Sequence, residues 1–233
     1  MKVLLRSVGL AVGLMAAAVA CAQSPFFLSE SQLDAVALLP DPPSEQSPET
    51  RAELDLLLRV QQRRTPQEIA RAKADASLTM AAFADVIGPW FTPENLPRME
   101  QLFQTLQREA THVGGRAKNH FARKRPRFLD DRIQPVLAGI SDPSYPSGNA
   151  TRGMLCAAVL AELAPQQRSA ILERGRELGW NRVVAGVHYS SDVTAGRVLG
   201  VAIARALLAD PKFQREVLQV KKEFAAAKKK WPG

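Results

Sequence analysis

The chain has 233 residues, 46% of them hydrophobic and 23% charged, with a formal net charge of +8 at neutral pH. That length supports one sizeable core, so a single domain is the starting expectation. Two cysteines exclude a disulfide framework, and past the N-terminus no apolar run approaches the roughly 18 residues of a membrane span.

Residues 1–22 read as a secretory signal peptide. Lys2 and Arg6 form a basic start, Val8 to Ala20 an apolar run, and Ala20-Cys21-Ala22 a small-residue cleavage pattern. Cleavage after Ala22 leaves a periplasmic or secreted chain beginning at Gln23, which is the preferred reading. Cleavage after Ala20 would leave Cys21 as a lipoprotein N-terminus, for which Ala18 is a poor match. Losing Lys2 and Arg6, and no acids, lowers the net charge from +8 to +6. A basic surface suits nucleic acid, acidic membranes or anionic small molecules. Much of the excess sits at Lys221, Lys222 and Lys228 to Lys230, a run that reads first as a solvated helix face.

Residues 23–47 carry Pro25, Pro40, Pro42 and Pro43 and read as an extended segment anchored by Phe26, Phe27, Leu38 and Leu39. From 48 to 233 the periods are helical. Pro48 to about Arg63 spaces Leu54, Leu57, Leu58 and Val60 for one face. Thr65-Pro66-Gln67-Glu68 supplies a cap, a Pro at the first helical position and a capping-box Glu, predicting a helix to about Val86. Another helix starts near Pro97 and runs to the stop before Pro126, with Gly114-Gly115 as its weak point. Residues 127–146 show no sustained period and read as a long loop. Helices are then predicted from Ser147 or Gly148 to Leu163, from Gln166 to Leu178 with Gly179 as stop signal, from Ser190 to Ala209, and from Lys212 to about Lys229. Cys156 is expected as a small core residue of the first of these. Strand alternation is absent. The fold class is all-α, a single-domain helical bundle of about seven to nine helices.

Three clusters between Lys118 and Asp192 carry the chemistry. Lys118 and Arg125 stand seven residues apart, about 20° apart on a continuous helix, and two cations on one face can clamp phosphate oxygens. Pro146-Ser147-Gly148-Asn149 opens a helix, where free amides form an anion site. His188 and Asp192 are four residues apart. A carboxylate accepting from Nδ1–H leaves Nε2 as a nucleophile. Arg182 adds a third cation.

In this order the clusters resemble the three-part signature of the type 2 phosphatidic acid phosphatase superfamily, which includes the vanadium-dependent haloperoxidases. Lys118, Arg125-Pro126, Pro146-Ser147-Gly148, Arg182, His188 and Asp192 match it. The branch most similar is the bacterial class A non-specific acid phosphatases. Ser-Tyr-Pro-Ser-Gly, the run from Gly186 to Arg197, Leu-Leu-Pro-x-Pro-Pro at 38–43 and Gln-x-x-Arg-Thr at 61–65 carry that likeness. The resemblance implies a metal-independent phosphoric monoester hydrolase that needs no cofactor, with phosphate or vanadate fitting the site. It implies His188 as nucleophile, Asp192 as its orienting partner, and Lys118, Arg125, Arg182, Ser147 and the Gly148 amide as stabilisers of the transition state.

Two positions depart from the pattern. Asn181 stands where the family has Ser. Asn149 stands where it has the His that protonates the leaving oxygen, and Asn has no proton to give. His120 and His112 lie about 200° and 120° round the helix from Lys118, so neither is expected to replace it. General-acid help is worth roughly 10²–10⁴-fold. A phosphoester-binding relative without turnover is therefore the second reading, and a basic exported protein docking through its Lys-rich tail the third. A haloperoxidase and a membrane lipid phosphatase are disfavoured by the chain's architecture and its lack of further apolar spans. The expected partners are small phosphate monoesters, not nucleic acid, and a homo-oligomer is left open.

Overall fold

The computed structural model describes residues 26–231; the expected signal peptide, Cys21 and residues 23–25 lie outside the described residues. Within them the chain is all-α, without a strand. The segment at 26–47 contains one short helix, α1 (Ala35–Leu38). Its deep anchors are Leu28, Ala35 and Leu39, while Leu38 faces outward and Phe26 lies exposed, stacked on the His112 ring. Phe27 packs edge-on against Phe213.

Next come α2 (Pro48–Arg63) and α3 (Pro66–Ala74), each with Pro in its first turn. Ser47 caps α2, and Thr65 and Glu68 form the expected capping box on α3. The helix predicted to reach Val86 stops at Ala74 instead. Asp75 turns its carboxylate inward, where Arg174 donates at 2.6 and 2.9 Å and Asn181 at 2.7 Å. Leaving that buried carboxylate and Arg174 unpaired would cost more than the modest gain of continuing a helix. A 3₁₀ turn at Met80–Phe83 and the short α4 (Ala84–Ile87) follow, burying Met80, Phe83 and Ile87.

The long helix α5 (Pro97–Phe121) runs unbroken through Gly114-Gly115, because its buried stripe from Met99 to Ala117 holds it against the core. After the loop come α6 (Gly148–Leu163), α7 (Arg168–Val184), α8 (Ser190–Ala209) and α9 (Pro211–Lys230). Helix α6 is the hub: it packs on α5, α7 and α8. Its Ala, Gly and Cys residues are buried on nearly every side, as expected of a helix apolar all round. Cys156 is a core residue, and burial pushes its thiol up to about 12.

Small residues set how closely these helices approach. A Cβ at Gly200 would lie 2.5 Å from the Thr151 carbonyl, and one at Gly175 would lie 2.6 Å from the Ala157 Cβ. Gly179, expected as a stop signal, is another such contact, 3.0 Å from Val193 and 3.1 Å from Ala150. Helix α7 therefore continues past it, which puts Arg182 on a helix. At the C-terminus Phe213, Val220 and Phe224 of α9 face the core, and the Lys residues at 221, 222 and 228–230 are exposed. Among the described residues no helix is long and apolar enough to cross a membrane.

The packing makes a paired prediction. At Gly196 an added Cβ would sit 2.5 Å from the Ser147 carbonyl, whereas at Gly115 it would meet nothing within 4 Å. Gly196→Ala should destabilise the fold by about 1–3 kcal/mol as an overpacking change. Gly115→Ala, in a helix interior, should stabilise it by about 0.5–1 kcal/mol. Urea unfolding midpoints of the two variants check both signs.

Candidate active site

The polar side chains singled out from the sequence converge at the N-terminal ends of α6 and α8. Those ends are joined directly: the Ser147 amide donates to the Asp192 carbonyl at 2.9 Å. The close approach at Gly196 and Gly200 makes this link possible, since a Cβ there would occupy the same space.

Lys118 lies in the last turn of α5, but the expected continuous helix from Lys118 to Arg125 does not form. Ala122 adopts a left-handed conformation (φ 47°) and reverses the chain. Arg125 sits on extended backbone before the 3₁₀ turn at Pro126–Phe128. Pro126 restricts its predecessor to that conformation. The two cations meet by a different route. Lys118 Nζ and Arg125 Nη2 each lie 2.8 Å from one oxygen of Asp142, and Lys118 also donates to the Pro143 carbonyl. Arg125 Nε donates to the Asp142 carbonyl at 2.7 Å. An anionic group thus bridges the two cations.

His188 is buried, on the turn between α7 and α8. Gly186, at φ 73°, makes that turn, a conformation unfavourable to other residues. The loop at 132–136 braces it: Gln61 and Arg64 of the Gln-x-x-Arg-Thr motif hold the backbone at 132 and 134, and Arg64 also donates to Val184. The tautomer follows from the neighbours. Arg125 Nη1 lies 3.1 Å from Nε2 and can only donate, so Nε2 accepts and the proton is on Nδ1. Nδ1 faces Asp192 Oδ2 at 3.1 Å. Burial, opposed by Asp192 and reinforced by Arg125 and Lys118, lowers His188 to about 4. The ring is neutral at ordinary pH.

Asp192 is fully buried, yet well supplied with donors. Besides His188 it accepts from the Tyr189 amide at 2.9 Å, from the Ser144 hydroxyl, and from Arg123 Nη1 at 2.6 Å. Burial alone would raise its pKa. The hydrogen bonds from His188 and Ser144 and the charge of Arg123 outweigh burial and keep it below the usual carboxylate range. Arg123 in turn pairs with Glu53 at 2.9 Å and lies 3.8 Å over the Tyr189 ring. Glu53 also accepts from the Ser190 hydroxyl and the Ser191 amide.

Arg182, in the last turn of α7, is buried, and among the described residues Nε and Nη1 have no partner. Burial, then Arg125 and Arg152, depresses it to about 10. Lys118 and Arg125 are lowered too, each mainly by burial. A buried guanidinium with unused donors beside two other cations is costly unless an anion completes it.

Ser147 caps α6 and is itself buried. The amides of Gly148 and Asn149 have no protein acceptor among the described residues. The Asn149 side chain points elsewhere: both amide hydrogens go to the carbonyls of Asp75 and Ala76, at 3.1 and 2.9 Å, and its oxygen accepts from Arg152. Asn181, the other departure, donates to Asp75. His112 stacks on Phe26, and His120 lies edge-on to Phe121.

Several groups here escaped the sequence reading. Arg123 and Lys124 are neighbouring cations with nothing in sequence to tell them apart, and of the two only Lys124 is exposed, paired with Glu45. Nothing local marks Glu53, Asp142 or Asp75. Arg152 did carry a signal, as a lone cation in the otherwise apolar run of α6. Among the described residues no group of His, Cys, Asp and Glu is arranged to hold a metal ion.

The PAP2 superfamily model matches residues 102–216, which include every one of these cationic and catalytic candidates. A non-specific acid phosphatase of Providencia stuartii is 32% identical over 216 residues, covering 88% of this chain and 86% of that protein. An acid phosphatase of Zymomonas mobilis is 33% identical over 205 residues, 84% of this chain and 77% of that one. The solved structure of a bacterial vanadium-dependent iodoperoxidase superposes with a TM-score of 0.52 at 19% identity. It covers 76% of this chain and 55% of its own, so the likeness is one of fold. By its sequence matches, the chain belongs to the PAP2 superfamily and is akin to the non-specific acid phosphatases.

Proposed function

We propose that this chain is an exported, metal-independent acid phosphatase that hydrolyses phosphate monoesters through a phosphohistidine. The observation that carries the reading is Arg182, a buried guanidinium with unused donors in the field of Arg125, which itself lies 3.1 Å from Nε2 of the neutral His188 ring. Relatives named acid phosphatase support the reaction class.

In this reading the substrate's phosphoryl group displaces the Asp142 carboxylate and takes over Lys118 and Arg125. Arg182, the Ser147 hydroxyl and the Gly148 amide bind its remaining oxygens. Arg125 turns from Nε2 to the phosphate, which frees the lone pair to attack phosphorus in line as the ester P–O bond breaks and its electron pair leaves on the ester oxygen. Asp192 stabilises the imidazolium that forms. Water then attacks the phosphohistidine, the P–N bond breaks, and the electron pair returns to Nε2. Asn149 contributes no proton, and with both amide hydrogens spent its side chain offers the leaving oxygen no donor either. That observation also favours a second reading, a phosphate-binding relative without turnover.

Release of p-nitrophenol from p-nitrophenyl phosphate, abolished by His188→Ala, is the expected result; binding of phosphate without any release would establish the second reading. Aryl phosphates should be cleaved far faster than alkyl phosphates, and Asn149→His should narrow the gap, as steady-state rates on a series graded by leaving-group pKa would reveal. Asp142→Asn should tighten competitive inhibition by inorganic phosphate by roughly fivefold, about 1 kcal/mol, the upper end for a half-exposed ion pair.

The His188 shift has a definite sign. Its folded value of about 4 lies below the ordinary 6.5, so between these values the unfolded chain binds the extra proton. This contribution to stability is complete above 6.5 and is lost as pH falls toward 4. NMR titration of the imidazole should show a midpoint near 4, and a midpoint near 6.5 would contradict the buried neutral nucleophile.

A further inference from the structure

Arg152 lies one turn into α6 and has no carboxylate partner among the described residues; its hydrogen bond goes to the neutral oxygen of Asn149. On one side the guanidinium packs against Gly148, where an added Cβ would be 3.5 Å from Nη1. It is near enough to Arg182 to depress that residue's pKa. On the other side it lines a cavity of about 520 Å³ with Ser77, Gln107, Arg108 and His112, and among the described residues no acidic side chain lines that cavity. Burial lowers its own pKa. A second cation, Arg108, stands at the same cavity.

These observations bear on the departing group. The Asn149 side chain supplies neither a proton nor a hydrogen bond, so a leaving oxygen that is stable as an anion is favoured. The group touching Asn149 is a permanent cation that faces both the Gly148 turn and the open cavity. We propose that Arg152 is a specificity-determining residue that binds an anionic leaving group, and that phosphoanhydrides are the preferred substrate class. This deepens the phosphatase reading and rests on it.

The terminal phosphoryl group occupies Lys118, Arg125 and Arg182, and the adjoining phosphate lies against Arg152 in the cavity. His188 Nε2 forms the P–N bond as the bridging P–O bond breaks. The electron pair leaves with the departing phosphate, which is stable as an anion and needs no general acid. Water then cleaves the P–N bond, giving a second inorganic phosphate, and its proton passes to solvent. An alkoxide has neither advantage: it needs a proton, and it carries no second charge for Arg152.

The test compares kcat/KM for inorganic pyrophosphate, p-nitrophenyl phosphate and glycerol phosphate in the wild-type chain, Arg152→Gln and Arg152→Lys. Wild type should prefer pyrophosphate to glycerol phosphate by at least roughly tenfold, in line with the loss of general-acid help. Arg152→Gln should lower the pyrophosphate value roughly 10- to 100-fold more than the p-nitrophenyl phosphate value, the range for a charged hydrogen bond. Arg152→Lys should recover part of it, which a purely structural role would not produce. Equal losses on both substrates, or turnover of p-nitrophenyl phosphate with none of pyrophosphate, would overturn the inference and leave the phosphatase reading standing. Wild-type failure on all three substrates would overturn both.

Discussion

Asp192 is a carboxylate with no access to water, and the whole site is arranged to tolerate it. Its charge is met by Arg123, its oxygens by Ser144, the Tyr189 amide and the His188 ring. A buried charge so supplied adds little net stability, but removing one partner leaves the other uncompensated, at about 3–5 kcal/mol. The requirement reaches far along the chain. Arg123 follows α5, Glu53 belongs to α2, Ser144 to the long loop, and Asp192 to α8. Four separate elements are therefore held in register by one anion.

The same anion defines the chemistry. Because Asp192 accepts from Nδ1 while Arg125 donates to Nε2, the imidazole has a single tautomer and a single orientation. Burial keeps it neutral, and the surrounding cations make protonation less favourable still. The cations are in the opposite condition. Lys118 and Arg125 share Asp142, while Arg182 has donors left over. Positive charge held in excess in a buried place, next to helix N-termini with free amides, is an anion site by electrostatics alone.

Close packing of the bundle core concentrates these groups. Gly196 and Gly200 on α8 let it meet the start of α6 at backbone distance, so that Ser147 and Asp192 bond through the main chain. Gly175 and Gly179 do the same for α7 and bring Arg182 alongside. The N-terminal segment closes over the loop, with Tyr145 donating to the Pro40 carbonyl at 2.7 Å. The Leu-Leu-Pro-x-Pro-Pro segment and the Gln-x-x-Arg-Thr motif, which read as family markers without an evident task, turn out to brace the loops on either side of the site.

What the sequence determined by itself is local: the helical periods, the cap at Thr65, the boundaries of α2, α6 and α8, and the pairing of His188 with Asp192 across a turn into a helix, since short-range spacing is enough to specify each. The motif order carried the family as well. Only the tertiary structure decided the rest. It ended α3 at Asp75 because Arg174 and Asn181, a hundred residues away, supply the compensation for a buried carboxylate. It ran α7 through Gly179 because a glycine is needed where Val193 and Ala150 press against it. It brought Arg125 to Lys118 through a left-handed turn instead of a shared helix face, buried Arg123, and set Arg152 on Asn149. Each of these outcomes depends on the energy of burying charge or of close packing, and both are set by partners that no local window of sequence contains.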